Sequence, residues 1–187
     1  LINITGTPEE IALALVDGMA IHPANPGRVI PRLVLGTRKG LGTQITLHNY
    51  VNLSIAVGMD DGLLVPVIKG ADKMSLSELV VASKDIIKKA LAMKLSPSEQ
   101  SGSTFTISNL GMFGTQSFNP IINQPNSAIL GVAATVEKPV VVDGEIVIRP
   151  IMTMCLTIDH RVVDGLAGAK FMQDLKKLLE NPLAMLI

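Results

Sequence analysis

The sequence predicts an α/β sandwich in which β-strands of mixed direction are covered by helices. Three local patterns support this fold class: apolar and polar residues alternate after Asn49, a capping box opens an amphipathic helix at Ser75, and an Asp143-Gly144 pair joins two β-branched runs. With 187 residues, the chain is long enough for one domain with a substantial core.

The first 45 residues carry the least regular pattern. Residues 8–20 are predicted as a helix because apolar side chains recur every four positions, and Thr7 is a candidate N-cap. The glycines between positions 36 and 42 do not form a dinucleotide-binding fingerprint, because Ile45 stands where a third glycine is needed. We therefore expect a flexible loop at these glycines.

Two strands and a helix are expected next. Alternation predicts a strand over residues 51–57, and a turn at 60–62 returns the chain into a second strand over 63–68. Pro66 within that second strand indicates an edge or bulge position. The capping box at 75–78 opens a helix with one apolar face and one lysine-bearing face.

The second half of the chain is expected to alternate strands with turns. Strands are predicted over 104–108 and 127–134, and a hairpin with an Asp-Gly turn over 140–148. A last apolar strand over 151–158 then leads into an amphipathic helix over 166–180.

Composition argues against several classes of protein. Lys plus Arg and Asp plus Glu number 16 each, and a net charge of zero disfavours a nucleic-acid-binding protein. The single cysteine, Cys155, excludes an intrachain disulfide and a multi-cysteine metal site, and its apolar surroundings predict a buried, inert thiol. No apolar run reaches the length of a membrane span. Hydrophobic residues make up 48% of the chain and charged residues only 17%, which is apolar for a domain of this size. The excess apolar surface favours burial between subunits, and therefore an obligate oligomer.

The candidate functional segment is DHRVVDG at 159–165, between the last strand and the last helix. A turn after a rigid strand is a good place to hold a catalytic side chain. His160 and Asp164 are four positions apart, so they share a face if the turn winds helically, and the carboxylate can then orient the imidazole. In the alternative reading, Asp164 is a helix N-cap, His160 a turn residue and Arg161 a surface charge.

The heptapeptide resembles the active-site signature of the dihydrolipoamide acyltransferases, the core subunits of the 2-oxo acid dehydrogenase complexes. The likeness runs from about Ile45 to the C-terminus through further segments in the same order: DGLLVPVI at 61–68, TFTISNLG at 104–111, IIN at 121–123 with Pro125, and PVVVDGEIVIRP at 139–150. Asp159 stands where the related chloramphenicol acetyltransferases usually have a second histidine, which favours the dihydrolipoamide branch.

The resemblance implies a fold like that of chloramphenicol acetyltransferase, with one acyltransferase catalytic domain over residues 1–187. Residues 1–45 match the family weakly, and the N-terminal part of the domain is expected to be incomplete. The family forms trimers that assemble into a cubic or dodecahedral core, so self-association of that kind is expected.

The implied reaction exchanges an acyl group between dihydrolipoamide and coenzyme A. His160 would be the base that takes the thiol proton, Ser108 the hydroxyl that stabilises the tetrahedral oxyanion, and Asp164 the residue that orders the loop. Taken alone, Ser108 is more simply a strand-end hydroxyl bonded to its own turn. In the family the histidine faces the serine of a neighbouring subunit, so a shared active site is expected. The likeness of 109–111 to acetyl-transferring members favours acetyl as the acyl group.

The implied partners are lipoyl domains and the decarboxylase and dihydrolipoamide dehydrogenase components of the complex. Coenzyme A and a lipoyl group carried on a separate domain are the expected substrates, with no metal, no nucleic acid and no membrane. The expected compartment is the bacterial cytoplasm or the mitochondrial matrix. The main rival is a catalytically silent scaffold paralogue, which His160, Ser108 and Asp164 disfavour. A second rival is a free-standing acetyltransferase of the chloramphenicol type, which Asp159 disfavours.

Overall fold

The structure is a computed structural model that describes residues 36–39 and 44–185, with side chains from residue 45 to residue 183. The predicted helix at 8–20 and its N-cap Thr7 lie outside the described residues. The expectation of a loop at the glycines from position 36 onward is wrong in part, because β1 (Gly36–Lys39) pairs antiparallel with β2 (Gln44–Leu47). The threonines and Ile45 of this pair favour strand pairing, which outweighs the weak strand preference of Gly36.

Six further strands of the described part form one mixed sheet. They are β3 (Leu53–Met59), β4 (Gly62–Leu64), β5 (Val67–Ile68), β6 (Phe105–Asn109), β7 (Ala128–Val142) and β8 (Glu145–Ile158). The order is β4-β3-β6-β7-β8, and β5 also pairs with β3. Strands β3, β6 and β7 run parallel to one another, whereas β4, β5 and β8 run antiparallel to their neighbours. The predicted mixture of strand directions is confirmed.

The strand predicted over 63–68 is interrupted at Pro66. Its two pieces, β4 and β5, both pair with β3, and β4 lies at the edge of the sheet. Pro66 has no amide hydrogen to donate, but its carbonyl oxygen accepts from the Ile55 amide at 3.1 Å. The predicted edge position of the proline is therefore confirmed, and the interruption is its consequence.

Three predicted elements merge into one long hairpin. Strands β7 and β8 contain 15 and 14 residues, and they pair across the whole span that was expected to hold separate strands. The predicted Asp-Gly turn joins them, with φ of 51° at Asp143 and 86° at Gly144, as a type I′ turn requires. A register shift between Val132 and Thr135 marks a bulge in β7.

Helices α1 (Leu76–Leu91) and α2 (Gly165–Glu180) pack their apolar faces against the sheet, in one core with alternate residues of β3, β6 and β7. Phe105 and Leu130 of the sheet are fully buried, and Phe171 of α2 stacks tilted on Phe105 with ring centroids 6.1 Å apart. The predicted capping box of α1 is confirmed, with both reciprocal hydrogen bonds between Ser75 and Glu78. Leu166, the first residue of the helix predicted over 166–180, is apolar but exposed in the first turn of α2.

Four short 3-10 helices complete the described elements: Ala71–Lys73, Pro97–Gln100, Gly111–Phe113 and Pro182–Met185. Among the described helices, none combines the length and apolar character that crossing a membrane requires.

Candidate active site

The turn between β8 and α2 is anchored through the backbone of Asp159. The Asp159 amide donates to the Ser127 carbonyl oxygen at 2.8 Å, and the Asp159 carbonyl oxygen accepts from the amides of Val162 and Val163 at 2.9 and 3.0 Å. Val163 is buried in the core. The turn is therefore fixed to the start of β7 on one side and to the core on the other.

His160 is exposed at the tip of this turn. Within the described part of the chain, its imidazole makes no hydrogen bond and no ion pair. Its Nε2 atom lies 3.8 Å from the point where a Cβ on Gly165 would stand, so the ring lies over the first residue of α2. The backbone on either side of His160 is thus anchored, and neither ring nitrogen has a partner among the described residues.

Asp164 acts as the N-cap of α2, because its Oδ1 accepts from the Ala167 amide at 2.7 Å. Its backbone is extended, with φ −80° and ψ 163°. The bonds from the Val162 and Val163 amides to the Asp159 carbonyl oxygen close one helical turn, but Asp164 lies beyond that turn with extended backbone. The condition under which His160 and Asp164 would share a helical face is therefore not met. No hydrogen bond or ion pair joins the two side chains among the described residues, and the N-cap reading of Asp164 is confirmed.

Arg161 closes over the carboxylate of Asp159. Its Nε donates to Asp159 Oδ1 at 2.7 Å, its Nη2 to Oδ2 at 2.6 Å, and its own amide to Oδ1 at 3.1 Å. The sequence contained no signal for this pair, because residues two positions apart do not face each other on a helix. Only the backbone of the turn brings the two charges together.

Ser108 lies near the end of β6, in register with Ala56 of β3 and Gly131 of β7. It is half-buried, and its hydroxyl has no hydrogen-bond partner among the residues with described side chains. The turn that follows is closed by Asn109, whose Oδ1 accepts from the Gly111 amide at 2.8 Å. The alternative in which the Ser108 hydroxyl bonds its own turn is therefore wrong.

A buried polar chain holds the strand of Ser108 in register. Asn126 Nδ2 donates to Thr106 Oγ1 at 2.9 Å, and Thr106 Oγ1 lies 2.8 Å from Ser54 Oγ, which donates to the Phe105 carbonyl oxygen at 3.1 Å. Thr106 is two positions before Ser108 and points to the same face of the sheet. The roles of these residues were not predicted from the sequence, although polar side chains inside apolar strands are a usable signal.

The structure does not bring Ser108 and His160 together within one chain. Ser108 pairs in register with Gly131 of β7, and Gly131 pairs with Cys155 of β8. His160 follows Cys155 by five residues. With the usual strand spacing and rise, Cys155 is roughly 10 Å from Ser108 across the sheet, and Ile158, the last residue of β8, is roughly 10 Å farther along it. His160 lies beyond Ile158, in the turn. The two residues therefore lie at different levels of the sheet.

Cys155 is half-buried rather than buried, which corrects the expectation of a fully enclosed thiol. Its Sγ donates to Asn119 Oδ1 at 3.0 Å. The segment around Asn119 covers this face of the sheet closely, since a Cβ on Gly131 would lie 3.0 Å from Phe118 and from Pro120. Among the residues that the structure describes, no group of three or more His, Cys, Asp or Glu side chains is placed to hold a metal ion.

The chain belongs to the family of the 2-oxoacid dehydrogenases acyltransferase (catalytic domain), whose model matches residues 34–187. It is 47% identical over 146 residues to the succinyltransferase component of the 2-oxoglutarate dehydrogenase complex of Rickettsia typhi, covering 78% of this chain and 37% of that protein. It is 46% identical over 143 residues to the acetyltransferase component of the pyruvate dehydrogenase complex of Rickettsia felis, covering 76% and 35%. The chain thus spans little more than a third of the length of these curated relatives.

Solved structures agree with this family. The cubic core of a pyruvate dehydrogenase multienzyme complex has a TM-score of 0.80 at 34% identity, covering 95% of this chain and 71% of that one. The dihydrolipoamide acetyltransferase of Azotobacter vinelandii has a TM-score of 0.79 at 32% identity, covering 96% and 69%. A chloramphenicol acetyltransferase has a TM-score of 0.58 at 11% identity, covering 91% and 76%, a likeness of fold alone. The predicted family and fold class are confirmed.

Proposed function

We propose that this chain is an acyltransferase that exchanges an acyl group between dihydrolipoamide and coenzyme A in the core of a 2-oxo acid dehydrogenase complex. The observation that carries the proposal is a pair of polar groups that have no hydrogen-bond partner among the described residues: the exposed imidazole of His160, on the anchored turn after β8, and the hydroxyl of Ser108 on β6. An imidazole and a hydroxyl are the two groups that thiol-to-thioester transfer needs.

The spacing of three residues supports their roles. The Azotobacter structure was used to investigate a serine, a histidine and an asparagine in the catalytic mechanism of that enzyme. Ser108, His160 and Asp164 of this chain are separated by the same two intervals as those three residues. Asp164 stands in place of the asparagine, and both residue types can cap a helix through a side-chain oxygen.

In the proposed reaction, the imidazole of His160 takes the proton from the attacking thiol as its sulfur adds to the thioester carbonyl carbon. The carbonyl oxygen becomes an oxyanion, to which the Ser108 hydroxyl donates. The original carbon–sulfur bond then breaks, and the leaving thiolate recovers the proton from the imidazolium. No proton is gained or lost overall, which suits a reversible exchange between two thiols.

Asp164 is proposed as a positioning residue rather than as a group that touches the substrate. Its carboxylate caps α2, and the first residue of α2 lies under the imidazole of His160. Capping the helix therefore keeps the surface on which the ring rests in one conformation. This role differs from direct contact with His160, which the geometry of the turn does not favour.

The distance between Ser108 and His160 supports an active site shared between chains. Because two strand spacings and at least three residues of strand rise separate them, roughly 10 Å in each direction, a thiol held by His160 is not expected to reach the Ser108 of the same chain. A neighbouring copy would supply the missing half, in trimers that build a cubic or dodecahedral core. A free monomer is then expected to be nearly inert.

The acyl group is proposed to be acetyl, on the likeness of residues 109–111 to acetyl-transferring members of the family. The proposed partners are lipoyl domains and the decarboxylase and dihydrolipoamide dehydrogenase components, in the bacterial cytoplasm or the mitochondrial matrix. The described residues are proposed to belong to one catalytic domain that spans the chain.

The first test is acetyl transfer from acetyl-coenzyme A to dihydrolipoamide by the parent chain and by His160→Ala. The rate is expected to fall by at least about 100-fold in the variant, the lower end of what a positioned base contributes. His48→Ala is the matched control, because this histidine packs against Tyr50 outside the turn. It should keep the parent's rate.

Three results would count against the proposal or part of it. An unchanged rate in His160→Ala would remove the base. A parent without any transfer would favour the silent scaffold paralogue. Faster transfer from succinyl-coenzyme A than from acetyl-coenzyme A would overturn the choice of acetyl alone.

A further inference from the structure

Both carboxylates that flank His160 in the sequence are already occupied by donors. Asp164 accepts from the Ala167 amide, and Asp159 accepts from the amide and the guanidinium of Arg161. This explains how the imidazole can have two acidic residues near it in the sequence and yet no partner among the residues that the structure describes. The donor to Asp164 is a backbone amide, whereas two of the three hydrogen bonds to Asp159 come from the Arg161 side chain.

We propose that Arg161 is a positioning residue that acts through Asp159, by occupying the carboxylate next to His160 and so leaving the imidazole free for the attacking thiol. The inference rests on the proposed function, in which the imidazole takes the thiol proton. Arg161 itself touches neither the thiol nor the thioester in this account.

The geometry of the pair suits this role. The planar guanidinium presents two parallel N–H groups, and Nε and Nη2 reach the two oxygens of Asp159 separately, at 2.7 and 2.6 Å. The Asp159 side chain is only 15% exposed, whereas that of Arg161 is 60% exposed. A largely buried carboxylate needs a partner, and Arg161 is the cation that the structure places on it.

Loss of the Arg161 side chain would leave the Asp159 carboxylate, which precedes His160 in the chain, with the Arg161 backbone amide as its one remaining donor among the described residues. A carboxylate accepts readily from an imidazole N–H, so the ring would turn toward Asp159 and away from the thiol. The turn itself would persist, because the amide and carbonyl bonds of Asp159 do not depend on the guanidinium. The predicted defect is therefore in the orientation of His160 and not in folding.

The kinetic test compares Arg161→Gln, Arg161→Lys, Asp159→Asn and the double variant in the assembled full chain. We expect kcat of Arg161→Gln to fall by roughly 10-fold to 100-fold, the effect of a misplaced catalytic group, with KM for coenzyme A unchanged. Lysine should rescue only partly, because an ammonium cannot make the two parallel bonds. The double variant should be no worse than the poorer single variant.

A matched control is the ion pair of Lys177 and Asp174 on α2, with a distance of 3.1 Å and side chains 65% and 23% exposed. Lys177→Gln removes a similar surface pair far from the turn and should leave kcat and the melting temperature unchanged. A raised KM for coenzyme A in Arg161→Gln, or additive losses in the double variant, would mean that Arg161 binds substrate directly and would overturn the proposal.

A second measurement does not depend on activity. The rate at which diethyl pyrocarbonate modifies His160 is measured at pH 7 by peptide mass spectrometry on the assembled protein. We expect the rate to fall by at least about threefold in Arg161→Gln, where the freed carboxylate engages the ring, and to recover in the double variant. An unchanged rate would overturn the proposal even if the parent transfers acyl groups. If the parent transfers no acyl group but Arg161→Gln still lowers the rate of His160 modification, the effect of Arg161 through Asp159 stands and the proposed function is rejected.

Discussion

A glycine sets the position of the turn that follows Ser108. Gly111 begins the 3-10 helix Gly111–Phe113, and a Cβ on it would lie 2.8 Å from the Ala133 carbonyl oxygen. That contact is with backbone of β7, which cannot rotate out of the way as a side chain can. A larger residue would therefore displace the end of β6, on which Ser108 lies.

Gly111→Ala is accordingly expected to lower the free energy of unfolding by about 1–3 kcal/mol, as overpacking does, and to reduce acyl transfer. Gly58→Ala in β3 is the control, because a Cβ there meets nothing within 4 Å. Denaturant unfolding of the two variants measures the difference. Equal stabilities would show that the end of β6 can shift without cost.

The sequence pointed to the residues of the candidate site but not to how they are arranged relative to one another. The heptapeptide at 159–165 pointed to His160 and Asp164 because it is a local motif. The pairing of Asp159 with Arg161 and the capping role of Asp164 depend on the path of the backbone through the turn. The distance between Ser108 and His160 depends on the order of the strands, which no local pattern encodes.

At the scale of elements, the 3-10 helix Pro97–Gln100 is tied to α1 by a single glutamate. The Ser96 hydroxyl and amide donate to Glu99 Oε2 at 2.7 and 2.8 Å, and Lys89 of α1 donates to Oε1 at 3.0 Å. These bonds, those from Ser96 foremost, lower the pKa of Glu99 from 4.5 to about 2. The ionised carboxylate therefore holds both contacts.

Because this pKa is lowered in the folded state, ionised Glu99 stabilises the fold above the ordinary carboxyl pKa, and the contribution is lost as the pH falls toward about 2. Glu99→Gln should therefore melt at a lower temperature than the parent near pH 6, and the gap should close between pH 4.5 and about 2. Melting curves across this range test the prediction. A gap that does not depend on pH would contradict it.

Local signals located the elements well, and long-range pairing decided their extent. The capping box at Ser75 and the Asp143-Gly144 turn were predictable because a few neighbouring residues define each of them. The merging of predicted strands into β7 and β8 was not, because their pairing continues through Pro139 and Pro150 only in the presence of the opposite strand. Pro66 interrupted its strand as its missing amide hydrogen predicts.

At the scale of the whole molecule, the mixed sheet separates the two groups that the proposed reaction requires. Ser108 pairs with Gly131, the fourth residue of β7, because β6 and β7 run parallel. Strand β8 runs antiparallel to β7 and ends opposite Ala128, the first residue of β7, so His160 follows at that end. The order of the strands therefore supports the proposal that the active site is shared between two copies of the chain. It also makes the shared site testable without knowledge of the size of the core.

The most direct test is complementation between two inactive variants. Chains carrying Ser108→Ala and chains carrying His160→Ala are each assembled alone, and then unfolded, mixed in equal amounts and reassembled. If each site takes His160 from one copy and Ser108 from the next in a closed ring, about a quarter of the sites in the mixture regain both groups. Acyl transfer should then recover to about that fraction of the parent's rate. Mixed assemblies that form normally but stay as inactive as either variant alone would contradict a site shared between chains.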